Sequence, residues 1–130
     1  SFGGYNTIMS MSQEDAVFKA GVAVAAPTDW RFYDTVYTER YMRTPKENKQ
    51  AYDAGSAIAY VNKPTGHLLI IHGTADDNVH FQNAMEMCRA LNKAGKQYDM
   101  MVYPDQNHSM RPHDMVNVRQ KMVDYCLENL

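Results

Sequence analysis

Three short apolar runs, separated by helix-like stretches, set the strongest limit on what this chain can fold into. They are Gly21-Val22-Ala23-Val24-Ala25-Ala26, His67-Leu68-Leu69-Ile70-Ile71-His72 and Tyr98-Asp99-Met100-Met101-Val102-Tyr103. Each is strand-sized, and a breaker stops each one: Pro27, Gly73 and Pro104. The first two lack polar alternation, as strands covered on both faces do. Helical spacing fills the gaps. Ala84, Met87, Cys88 and Leu91 form one apolar stripe, with Gly95 placed as its C-terminal cap. Met115, Val118, Met122, Tyr125 and Cys126 mark a closing helix, and Gly3 to about Met11 reads as a helix starting abruptly after Ser1. Strands alternating with helices predict βαβ units, that is, an α/β fold with a parallel sheet flanked by helices. Residues 46–66 are polar and irregular between Pro45 and Pro64, which predicts a surface segment with a short helix around Ala51. Cys88 and Cys126 sit at apolar helix positions and read as free buried thiols rather than a disulfide framework.

Composition excludes some partners. Thirteen Lys and Arg against fifteen Asp and Glu give a net charge of −2, so there is no basic footprint for nucleic acid or an anionic membrane surface. No apolar run is long enough to span a bilayer. The chain opens at Ser1 in what reads as the middle of a motif, and is expected to be part of a longer protein.

Three segments can carry chemistry. Ser1-Phe2-Gly3-Gly4-Tyr5 reads as the second half of a nucleophile elbow, in which a serine sits on a tight turn entering a helix. The free N–H groups and positive dipole end of that helix favour developing negative charge beside the serine. His72-Gly73-Thr74-Ala75-Asp76-Asp77-Asn78-Val79-His80-Phe81 follows the clearest strand. An Asp there can orient a histidine, or it can cap the next helix; two adjacent acids allow both. His72, His80 and these acids lack the spacing of an HExxH or Cys/His metal site. Asp105-Gln106-Asn107-His108-Ser109 follows the third strand, and His108 reads as a general base or as an exposed loop histidine. Together the segments place Ser, Asp and His in that chain order, each after a strand, which is the α/β-hydrolase order. Trp30, Tyr33, Tyr37 and Tyr41 recur at spacings that share one face of a helix, and read either as a core face or as the wall of a pocket.

These stretches, with Tyr33-Asp34-Thr35-Val36-Tyr37-Thr38-Glu39-Arg40-Tyr41-Met42, resemble the dipeptidyl peptidase IV type within the prolyl oligopeptidase group of serine peptidases. The similarity runs along essentially the whole chain. It implies that residues 1–130 are the C-terminal portion of an α/β-hydrolase catalytic domain, preceded in the full protein by a β-propeller and the start of that domain. It implies Ser1 as nucleophile, Asp76 as triad acid, His108 as triad base, and the Phe2 backbone N–H as one oxyanion donor. Trp30, Tyr33, Tyr37 and Val79 match the walls of a proline-sized pocket, and Asn78 a residue that binds the substrate backbone. The implied activity is release of N-terminal dipeptides with Pro or Ala second, with no cofactor or metal, in a homodimer joined through the closing helix and the region around Phe81 and Tyr103. An extracytoplasmic location is implied as well. Because a second oxyanion donor and the residues gripping the substrate amine lie upstream, these 130 residues alone are expected to be inactive. Other activities on the same fold are an oligopeptidase, an acylaminoacyl peptidase, or a silent binding relative that has lost its nucleophile; the presence of Ser1, Asp76 and His108 argues against the last.

Overall fold

The structure is a computed structural model that describes all 130 residues. Helix α1 spans Phe2–Met11, strand β1 Ala20–Val24, helix α2 Thr35–Met42 and helix α3 Lys49–Ala54. Strand β2 spans His67–Gly73, helix α4 Gln82–Lys93, strand β3 Asp99–Tyr103 and helix α5 Pro112–Asn129. Two short 3₁₀ turns cover Trp30–Phe32 and Ala57–Tyr60.

The three strands form one parallel sheet in the order β1-β2-β3. Gly21 lies opposite Leu68, and Ile71 opposite Met101. Successive side chains on a strand point to opposite faces, and β2 uses both. Leu68 and Ile70 pack with Ala23 against α1 and α4, through Ile8, Met11, Ala84, Met87 and Leu91. Leu69 and Ile71 pack with Tyr103 against α5, through Val118 and Tyr125. This is the α/β sheet flanked by helices that the run pattern predicts, and the central strand is the unalternated one because it is covered twice. Gly95, at φ +68°, lies just beyond α4 as expected, with Lys96 N–H reaching back to Leu91 C=O.

The structure departs from the sequence reading in four places. The first strand stops at Val24, two residues early. Ala25 turns into the left-handed region at φ +47° while its N–H still donates to Ile71 C=O. Trp30, Tyr33, Tyr37 and Tyr41 do not share one helix. Trp30 begins a 3₁₀ turn, Tyr33 is extended, and Asp34 then caps α2 by accepting a bond from Tyr37 N–H. The segment after Pro45 is only partly at the surface, since Tyr52, Ser56, Ala57 and Val61 are buried. Tyr52 owes this to its hydroxyl, which donates to Arg43 C=O at 2.7 Å. Cys88 is a buried thiol, whereas Cys126 is half-exposed.

Candidate active site

All three strands run the same way, so their C-terminal ends meet at one edge, where functional groups gather in open α/β sheets. The loop after β2 carries Asp76, whose carboxyl is wholly buried. Its Oδ1 accepts from the backbone N–H of Asn78 at 3.0 Å and of Val79 at 2.9 Å. Asp76 therefore closes its own loop and caps no helix, because α4 starts only at Gln82. Its Oδ2 lies 2.8 Å from His108 Nδ1. The loop histidine and the loop acid meet.

The His108 loop is built to hold that contact. Asp105 and Met110, on either side of His108, take left-handed backbone at φ +58° and +53°. Asn107 Oδ1 accepts from Ser109 N–H at 3.2 Å and from Met110 N–H at 3.1 Å. The buried Gln106 side chain accepts from Arg111 N–H at 2.9 Å. The two loops are also laced together. Thr74 N–H donates to Tyr103 C=O, Ala75 N–H to Gln106 C=O, and Asp105 N–H to Thr74 Oγ1. Gly73 permits the approach: a Cβ there would lie 2.3 Å from the Gln106 carbonyl oxygen.

Ser1 stands at the third strand end, where its backbone nitrogen donates to Val24 C=O, the last residue of β1. It is the N-cap of α1, yet its side chain makes no capping bond, which leaves Oγ free. The N–H of Phe2 opens the helix and has no preceding turn to bond to. Gly4 lets α1 lie against β1, since a Cβ there would meet Ala26 Cβ at 2.8 Å and Val24 O at 3.0 Å.

Beside Ser1 the aromatic side chains form a connected wall despite leaving a single helix. Ring centroids are 5.7 Å apart for Phe2–Trp30, 6.0 Å for Trp30–Tyr33 and 5.4 Å for Tyr33–Tyr37. Tyr37 continues to Tyr41 at 5.2 Å. A cavity of about 260 Å³ lies among Phe2, Trp30, Tyr37, Thr38, Tyr41 and Met42. Tyr33 Oη donates to Asn78 Oδ1 at 2.8 Å, which leaves the Asn78 amide N–H groups free to point elsewhere. Burial, aided by the nearby Asp34 charge, pushes the Tyr33 phenol up and keeps it a donor. Val79 is wholly buried and supplies the site with its backbone, the N–H to Asp76 and the C=O to His72.

Several residues here escape sequence reasoning. Tyr5 packs its ring on Phe2 and Trp30 and donates its hydroxyl to Gly55 C=O. Buried Asn83, on α4, accepts from Thr28 N–H at 2.9 Å and fixes the approach to Trp30. His72, also buried, lies against Val79 and Asp76. A polar residue inside an otherwise apolar run was a visible signal for His72; nothing local marks Asn83.

The whole chain, residues 1–130, matches the Prolyl oligopeptidase family. It is 45% identical over 134 residues to the dipeptidyl aminopeptidase B of Saccharomyces cerevisiae, covering 97% of this chain and 16% of the relative. It is 48% identical over 118 residues to a probable dipeptidyl-aminopeptidase B of Podospora anserina, covering 88% of this chain and 13% of the relative. The crystal structure of Porphyromonas gingivalis dipeptidyl peptidase 4 superposes with a TM-score of 0.95 at 46% identity, over 99% of this chain and 18% of that one. The chain thus spans less than a fifth of the proteins it matches. With a free serine, a buried acid and a histidine at adjoining strand ends, and a family match from first residue to last, this chain belongs to the prolyl oligopeptidase family.

Proposed function

We propose that this chain is the C-terminal portion of the catalytic domain of a serine-type dipeptidyl peptidase. The observation that carries the reading is the 2.8 Å contact between Asp76 Oδ2 and His108 Nδ1, at the same sheet edge where Ser1 follows the end of β1. Ser1 Oγ attacks the carbonyl of the substrate's second residue while His108 Nε2 takes its proton. Asp76 holds the imidazole in the tautomer with Nδ1 protonated and stabilises the imidazolium. The Phe2 N–H steadies the oxyanion. His108 returns its proton to the leaving amine, and water then releases the dipeptide from the acyl-enzyme. Trp30, Tyr33 and Tyr37 hold the residue before the scissile bond, while Val79, wholly buried and so no wall of the pocket, serves through its backbone bonds to Asp76 and His72. Burying a proline or alanine side chain there is worth up to about 3 kcal/mol, which is a preference and not an absolute choice. The free amide of Asn78 holds the substrate backbone.

The rest of the reading concerns the whole protein. The missing oxyanion donor and the grip on the substrate amine come from upstream, so residues 1–130 alone turn over no substrate. The full protein works outside the cytoplasm as a homodimer; Val116, Val123 and Leu127 of α5, with Leu130 just beyond it, are exposed and apolar, in keeping with such a contact. The test is hydrolysis of Gly-Pro-p-nitroanilide by the full-length protein. Ser1-dependent cleavage is expected, with Ser1→Ala cutting kcat by about 10⁵-fold or more. A well-folded protein that leaves the amide intact, or an active Ser1→Ala variant, would overturn the reading.

A further inference from the structure

One buried group at the site is not used by that mechanism. His72 is the last side chain of β2 before Gly73, and only 1% of it is exposed. Its Nε2 lies 2.7 Å from Val79 C=O and 3.3 Å from Asp76 Oδ2. Val79 C=O is an acceptor at hydrogen-bond distance, so Nε2 carries the proton and donates it there, while Asp76 Oδ2 lies against the same edge of the ring. Burial lowers the pKa of this ring, which keeps it neutral beside the acid. The ring is held in place by Phe81, edge-on at 5.7 Å between centroids.

We infer that His72 is a positioning residue that fixes the Asp76 carboxylate for His108: its Nε2 donates to Val79 C=O, pinning the turn whose N–H groups hold Oδ1, and its ring edge packs 3.3 Å from Oδ2, the oxygen that His108 uses. The two oxygens of Asp76 have different tasks. Oδ1 is held by the N–H groups of Asn78 and Val79. Oδ2 has one hydrogen-bond partner, His108, and if the turn at Val79 were loose the carboxylate could pivot. His72 grips Val79 C=O and so pins the turn that donates to Oδ1. Its ring edge also stands against Oδ2 from the strand side and limits that oxygen's movement.

This inference rests on the proposed peptidase reading, and the experiment separates the two. Full-length protein is assayed on Gly-Pro-p-nitroanilide with no substitution and as Ser1→Ala, His72→Leu and His72→Gln, and as Asp76→Asn with and without His72→Leu. His72→Leu is expected to lower kcat by about 5- to 100-fold, the range for leaving a buried acceptor such as Val79 C=O unpaired, with KM within about twofold. His72→Gln, whose amide N–H sits near the Nε2 position, is expected to recover most of the loss. In the Asp76→Asn background His72→Leu should change kcat by less than about twofold, because residues that act through one another are non-additive. Thermal melts establish folding, and His72→Asn, whose amide stops short of Oδ2, replaces His72→Leu if the latter does not fold. Silence of the unsubstituted protein, or an active Ser1→Ala variant, overturns the peptidase reading and this inference with it. A Ser1-dependent enzyme unmoved by His72→Leu, equally damaged by Gln and Leu, or showing multiplicative loss with Asp76→Asn, overturns the inference alone.

Discussion

At the scale of single residues, the site is a set of polar groups whose burial forces their roles. Asp76 is buried and has a donor for each oxygen. His72 is buried beside it with a depressed pKa, caused first by burial and opposed in part by the Asp76 charge. That depression makes stability depend on pH. Above the ordinary histidine value of 6.5 the ring is neutral in both folded and unfolded chains, and pH has no effect through it. As pH falls through that value, the unfolded chain binds a proton that the folded site refuses, so stability is lost. The unfolding midpoint of the full-length protein should therefore drop between about pH 7 and pH 5, and His72→Gln should flatten that drop. Superimposable pH curves for the two proteins would show that His72 is not the source.

At the scale of elements, the site depends on how closely strand ends and helix starts approach one another. Gly73→Ala puts a methyl group 2.3 Å from the Gln106 carbonyl, and backbone has nowhere to retreat. We expect a loss of about 1–3 kcal/mol in stability, together with a fall in kcat larger than the fall in kcat for Gly3→Ala, where a Cβ meets nothing within 4 Å. Melting curves and turnover of the two variants side by side check this. The sequence made β2, β3, α4 and α5 legible because their apolar periods were unbroken and their breakers stood at the ends. It hid the break between Trp30 and Tyr37, since side chains at helical spacing also stack when an extended Tyr33 joins two short turns. It also misjudged residues 46–66, where Tyr52 buries itself by bonding its hydroxyl to the Arg43 carbonyl. Ser1, Asp76 and His108 were legible as a chain order, whereas the bracing role of His72 needed the path of the loop after β2, which folds back onto its own strand end.

At the scale of the whole molecule, the outer face of α5 is the feature left over. Its inner face is spent on Leu69 and Ile71 through Val118 and Tyr125, and Tyr125 Oη is tied to Asp99 at 2.9 Å. The outer residues Val123 and Leu127 lie one helical turn apart and meet solvent. Under the homodimer reading, Val123→Glu with Leu127→Glu should convert the full-length protein from dimer to monomer in analytical ultracentrifugation. No site residue lies on this helix, so any turnover retained by a folded monomer should keep its KM. A variant that still sediments as a dimer would move the contact elsewhere.

The lacing of the Asp76 and His108 loops has a consequence for motion. Three backbone or hydroxyl bonds and the acid–imidazole contact join them within a few residues. Neither loop can open without breaking the bonds of the other, so the pair forms one cooperative unit in local unfolding. The amide hydrogens of Thr74, Ala75 and Asp105 should then exchange with solvent deuterium together, at one shared rate. The histidine and the acid of this site are then expected to travel as a single body, and heating should separate them only as it opens both loops.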